Sequence, residues 1–240
     1  MHAVWVIARR ELNSFFDSLT AYILLVLFLG FSGFFTWLYG SDVFLNGQAS
    51  LQSFFTTAYW SLFFFIPAIT MRLLAEENKT GTLELLLTRA VTDRQVVWGK
   101  FLSALVLVAI ALGFTLPYAF TVSALGPLDW GATLCGYAGL LLMSAAYISI
   151  GLYASSITHN QVVAFLISLF IGLFFHVLFD ALAANLTGFA GMIFSMLSMS
   201  EHYDSLARGV IDTRDVLYFL SLILAGLVMT ELSLAKRNLE

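Results

Sequence analysis

Gly30-Phe31-Ser32-Gly33 sets a serine between glycines, and His176 in a later apolar run would supply the base of a nucleophilic pair. That chemistry would be proteolysis inside a bilayer. Against it, the motif falls in the first apolar run and His176 is flanked by Phe175 and Val177 instead of glycines. Small residues in a span also serve helix packing. Gly99-Lys100 invites comparison with a phosphate-binding loop, but Phe101 stands where Ser or Thr is required and Arg94 where the first Gly is required. The chain therefore holds no nucleotide in this way. Any ATP, with its Mg, is expected on a separate partner, and no cofactor is expected on the chain itself.

His176 and Asp180 are four residues apart on one helical face, and Met192, Met196 and Met199 recur at helical spacing ahead of His202. Together they would suit a soft metal such as copper. Methionine is also flexible filler for packed apolar surfaces, so His176, Asp180, Met192 and Met196 are read as a candidate outer gate, with no metal. Glu231 lies near Lys236 and Arg237 and is read as a structural ion pair.

A charged segment between two long apolar runs carries different information: Glu76-Glu77-Asn78-Lys79-Thr80-Gly81-Thr82-Leu83-Glu84-Leu85-Leu86-Leu87-Thr88-Arg89. Thr80-Gly81-Thr82 offers turn chemistry and a helix N-cap, with Glu84 in the first turn where the helix dipole favours an anion. Leu83, Leu86, Leu87 and Ala90 then recur at i, i+3, i+4, i+7 as one apolar face. Thr92 and Gln95 have capping-box spacing and restart a helix into the next run. A short amphipathic helix between two elbows is thus expected over residues 76–91, shaped to be grasped by another protein.

These residues need a membrane scaffold to position them. Of 240 residues 60% are hydrophobic and 11% charged, with mean hydropathy +0.90, where soluble domains carry about a quarter charged residues. A spanning helix takes about 20 apolar residues. Six candidates fit: 20–39, 54–71, 96–125 with Pro117 inside, 130–157, 162–179 and 216–234. Residues 181–199 are apolar but broken by Asn185, Gly188, Gly191 and serines, so an outer or re-entrant helical region is expected over 181–212. Val4, Ala8, Leu12, Phe15 and Leu19 form one stripe, with Arg9, Arg10 and Asn13 elsewhere; Arg9, Arg10 and Glu11 are charged residues of the same segment. Residues 1–19 are therefore expected to form an interfacial amphipathic helix, not a cleaved signal. Thr158 and Gln161 again have capping-box spacing, and Asp212 would N-cap the last span. No repeat or linker divides the chain, so one transmembrane domain over 1–240 is expected. There is no basic tract for nucleic acid, and the lone Cys135 pairs with nothing internal.

If the spans alternate, Arg9, Arg10, Arg72, Lys79, Arg89, Arg94, Lys100, Lys236 and Arg237 fall on one side, and Arg208 and Arg214 on the other. The positive-inside rule then makes both termini and the charged loop cytoplasmic.

The charged segment resembles the cytoplasmic loop of ABC-2 type transporter permeases. It follows the family's Glu-Glu-Lys and Gly-Thr-Leu-Glu-x-Leu-Leu pattern, with Asn78 before Lys79. Arg10-Glu11-Leu12-Asn13-Ser14-Phe15-Phe16 and Gly151-Leu152-Tyr153-Ala154-Ser155-Ser156 resemble the gliding-motility branch, and the nitrous-oxide-reductase maturation permeases more distantly. The resemblance implies a permease of a bacterial inner membrane, with a coupling helix docked on a separate ABC ATPase. It implies six spans, an interfacial helix and a re-entrant region before the last span. Six spans enclose little alone, so a homodimer with two ATPase copies is expected. Two uses compete: export of a substrate, and mechanotransmission to an outer or periplasmic accessory protein with nothing passing. An intramembrane protease is the remote third, and has no need of a docking helix.

The topology yields a first prediction. In a Cys135→Ser background on intact cells, an impermeant thiol reagent should label Asp204→Cys and leave Asn238→Cys untouched. The reverse pattern would overturn the assignment of sides.

Overall fold

The computed structural model describes residues 2–39, 49–81 and 92–237. It is all-helical over these residues, with six helices long and apolar enough to cross a membrane. α1 (His2–Asp17) leads into α2 (Leu19–Trp37); α3 (Gln52–Thr70) is followed by the short α4 (Ala75–Thr80). Next come α5 (Asp93–Gly113), α6 (Leu116–Leu125), α7 (Trp130–Ser156) and α8 (Gln161–Leu173). α8 continues through a π-helical turn, Phe174–Leu178, into α9 (Phe179–Asn185). Two short helices, α10 (Phe189–Leu197) and α11 (Met199–Ala207), precede α12 (Thr213–Arg237).

α7 is the axis of the bundle and packs on α3, α5, α8, α11 and α12. Lipid tails are as apolar as leucine, so packing quality and not apolar burial holds such helices together. α7 accordingly turns small residues to its neighbours. A Cβ at Gly151 would strike Thr70 of α3, and one at Gly226 of α12 would lie 2.5 Å from Ser149 Oγ. Large apolar side chains face outward instead, among them Phe31 on α2, Phe170 on α8 and Leu217 on α12.

Several local expectations shift. Residues 96–125 are two helices and not one, broken at Phe114-Thr115, so that Pro117 sits in the first turn of α6, where its missing N–H costs nothing. The buried Thr115 hydroxyl lies 3.0 Å from Tyr137 Oη at this break. Asn160, not Thr158, caps α8, accepting from the Val162 N–H at 2.9 Å. Thr92 and Gln95 do form the capping box of α5, and Asp212 Oδ1 accepts from the Arg214 N–H at 2.9 Å.

The α1 stripe also differs from expectation. Ile7, Ala8 and Phe15 are buried, while Leu19 is 77% exposed. α1 packs chiefly on α5, because Gly99 leaves room: a Cβ there would lie 2.6 Å from Ile7 Cγ2. The space at Gly33 is filled by Tyr118 of α6, whose hydroxyl donates to Leu29 O at 3.2 Å. Gly30 has nothing within 4 Å. At the other end α9–α11 form short helices before α12, as the broken apolar patch suggested, with Gly188 (φ +75°) and Gly209 (φ +86°) supplying the left-handed turns.

Gly99→Val should push α1 off α5. The expected readout is faster protease cleavage within residues 2–17 in membranes, with the remaining spans still inserted. Unchanged cleavage would show that α1 is not seated by this contact.

Candidate functional site at the root of the charged loop

α3 ends where its backbone partners run out. The Leu73 N–H takes the Thr70 carbonyl at 3.1 Å, so the Leu74 and Ala75 N–H groups need another acceptor at membrane depth. Both donate to Ser155 Oγ of α7, at 3.0 and 2.9 Å, and that hydroxyl donates to Met71 O at 3.0 Å. One serine thus closes three backbone positions. α4 then starts, and its Asn78 amide donates to Ser156 O and Thr158 O, both at 3.2 Å. Gly81, at φ +69°, ends the helix in a left-handed cap. Thr80 is therefore the last residue of a helix, where the sequence suggested the start of one, and its hydroxyl donates back to Glu76 O at 2.9 Å.

Charge fixes the same element from the other side. Lys100 of α5 is 1% exposed, with Nζ 2.8 Å from Glu77 of α4 and 3.4 Å from Glu11 of α1. Arg10 lies 3.0 Å from Glu11 and 3.9 Å from Glu77. These four residues form a neutral quartet joining three helices. The desolvation of a buried ammonium is offset only if it is well paired, and here it has two carboxylates. Arg72, in the turn between α3 and α4, donates to Thr20 Oγ1 at 3.1 Å and Ser18 Oγ at 3.2 Å, with its guanidinium carbon 4.9 Å from the Phe15 ring centre. It ties the α1–α2 elbow to the same turn.

Of the residues expected to meet a partner, Glu76, Glu77, Lys79, Thr80 and Gly81 lie in or at the end of α4. Thr82, Leu83, Glu84, Leu86, Leu87 and Arg89 fall outside the described residues. Arg9 and Arg10 are exposed on α1, and Glu11 turns inward. Sequence reasoning missed Lys100 and Ser155. The available signal for Lys100 was a lone cation early in a long apolar run, which demands a carboxylate partner.

The residues read as an outer gate do not form one cluster. His176, on the π turn, is 2% exposed and stacks on Tyr59 at 3.8 Å between ring centres and Phe63 at 4.8 Å. Its ring nitrogens have no hydrogen-bond partner among the described residues, so it does not pair with Asp180. Ser32 donates to Leu29 O, and no hydrogen bond joins it to His176. Met192 and Met196 are exposed on α10. The paired histidine is His202, with Nδ1 2.7 Å from Asp215 Oδ1 and Nε2 3.2 Å from Met196 O, holding α10 and α11 to α12. Among the described residues no cluster of three metal-ligating His, Cys, Asp or Glu occurs. Nearby, burial pushes the Asp204 carboxyl above the usual carboxylate range, with Arg208 opposing and Asp180 adding. Glu231 meets Arg94 of α5 at 3.9 Å, and among the described residues it has no ion pair with Lys236; the Arg237 side chain lies outside them.

A bundle of six apolar helices, with a buried charge cluster joining α1, α4 and α5, defines a multi-pass membrane protein. The chain belongs to the ABC-2 family transporter proteins, whose family model matches residues 5–236. It is thus the membrane subunit of an ABC transporter, and its family implies an ABC ATPase partner. Among curated proteins none matches it.

Lys100→Met should destabilise the protein by about 3–5 kcal/mol, the cost of leaving a carboxylate buried without its cation. Adding Glu77→Gln should recover part of that loss, giving a coupling energy of about 0.5–3 kcal/mol in a double-mutant unfolding cycle. Strict additivity would show that the pair is not formed.

Proposed function

We propose that this chain is a permease that couples ATP hydrolysis on separate ATPase subunits to export of a substrate. The observation that carries this reading is the double fixation of α4 by Ser155 and Asn78 on one side and Lys100 on the other. A soluble ATPase can move a membrane bundle only through an exposed element that does not yield at its base. Residues 82–91 leave from Gly81, the fixed end of α4, and return at Thr92, the capped start of α5. Leu83, Leu86 and Leu87 are the apolar anchors of the docking helix, with Glu84 and Arg89 at its rim. The loop faces the cytoplasm of a bacterial inner membrane, as the basic residues around it require.

Two copies act together, each presenting one loop to one ATPase. Membership of the gliding-motility branch rests on the segments 10–16 and 151–156, and it gains support from what those segments do: they supply Glu11 to the quartet and Ser155 to the turn. Mechanotransmission to an outer accessory protein uses the same lever. The exposed apolar face of α10, with Phe189 at 78% exposure and Met192 at 55%, is the observation that favours it.

Glu84→Lys with Leu87→Asp should abolish co-purification of the ATPase while the permease stays inserted. Retention of the ATPase in this variant would move the docking site elsewhere. Cross-linking in membranes should trap a permease dimer, and monomer alone, with and without ATPase, would remove the two-copy reading.

A further inference from the structure

Two openings lie near one another where the α1–α2 elbow meets the turn between α3 and α4. The first is a cavity of about 620 Å³ at the basic end, within the range of about 300–1,000 Å³ usual for small-molecule sites. Its charged walls are Arg10, Glu11, Arg72, Glu76, Glu77 and Lys100. The quartet neutralises four of these. One cation and one anion remain, Arg72 and Glu76, and neither has an ion-pair partner within 4.0 Å among the described residues.

The second opening begins three residues further along each segment, at Ala21 of α2 and Ile69 of α3, beyond Ser18 and Arg72 of the first. It is a crevice with no polar surface, walled by Ala21, Leu24, Phe28, Leu62, Ile69 and Val108. It is narrow, about 20 Å³, so a hydrocarbon chain lies against it and not inside it.

We propose that these openings together bind a phosphoethanolamine lipid, with its phosphate on Arg72, its ammonium on the exposed carboxylate of Glu76, and one acyl chain along the crevice. Each part excludes an alternative. A simple anion would meet the carboxylates of Glu11, Glu76 and Glu77 as well as Arg72. A quaternary ammonium has no N–H to give to the Glu76 carboxylate. A soluble zwitterion would leave the crevice unused, whereas the cavity sits at the elbow between an amphipathic helix and the first span, where headgroups lie. The lipid would bridge the α1–α2 elbow to α4, making the root of the loop sensitive to inner-leaflet composition. None of this depends on which ATPase docks or what is exported.

The test is native mass spectrometry of the purified full chain in detergent, titrated separately with palmitoyl-oleoyl phosphatidylethanolamine, phosphatidylcholine, phosphatidylglycerol and water-soluble glycerophosphoethanolamine. Phosphatidylethanolamine should be retained about tenfold better than the other lipids, equivalent to about 1.4 kcal/mol. Arg72→Gln should reduce retention of all three lipids. Because Arg72 also ties the elbow, Glu76→Gln is the second variant: its side chain is exposed, and the change should erase the preference for phosphatidylethanolamine over phosphatidylglycerol without lowering phosphatidylglycerol retention. Equal retention of the three lipids, or a preference for phosphatidylglycerol, overturns the proposal. So does glycerophosphoethanolamine binding as tightly as the lipid, or a Glu76→Gln variant that keeps the original preference.

Discussion

A lysine with 1% exposure at the rim of a membrane bundle must be paired or it cannot stay charged, and Lys100 is paired twice. The positions of three helices follow from that requirement. Glu11 reaches Lys100 only if α1 lies on α5, which the absence of a side chain at Gly99 permits. Glu77 reaches it only if the chain leaves α3 by a tight turn and starts α4 at once. A breach at any of the three helices leaves a buried charge uncompensated, so the cluster behaves as one unit and not as a sum of exposed ion pairs, each worth about 0–1 kcal/mol.

The turn that delivers Glu77 has a requirement of its own. Backbone groups at membrane depth find no water, and a helix that stops there strands its N–H and C=O groups. Ser155 answers for Leu74, Ala75 and Met71 together. It can do so because α7 runs close beside α3, Gly151 meeting Thr70 one turn away. The small residues of α7 therefore serve two ends: close helix packing without a hydrophobic driving force, and access of a hydroxyl to backbone atoms that a larger neighbour would have kept out of reach.

The spans were legible in the sequence because length and apolarity alone decide them, and the Thr92–Gln95 box because capping is a local reciprocal bond. What failed was whatever depended on a distant neighbour. Periodicity showed that one face of α1 is apolar but not what covers it; α5 covers much of it. His176 was paired with Asp180 by spacing, but the π turn and the stack on Tyr59 turn its ring into the bundle. Thr158 had the right spacing and lost the cap to Asn160, whose own side chain bonds the Val162 N–H. Ser155 carried no sequence signal by itself, because a serine in an apolar helix is ordinary until its neighbours prove to be backbone atoms without partners.

On the proposed reading the subunit receives its energy at one end and must pass a displacement along its length, and compliance decides how far it travels. Loosely packed side chains between helices absorb movement by changing rotamer; a side chain seated against a glycine has less room to do so. α7 meets α3 through Gly151 and Thr70, α12 through Ser149 and Gly226, and α8 through Tyr147 and Gly172, where an added Cβ would lie 2.6 Å from the tyrosine ring. Dense interiors transmit strain because they hold few voids into which it can relax. α7 also touches α11 through Gly139, whose added Cβ would lie 2.9 Å from Leu206. The helix that anchors the turn at one end of the bundle thus bears directly on the short helices at the other. α2 and α8 carry much of their surface toward lipid and are the elements free to adjust around that axis.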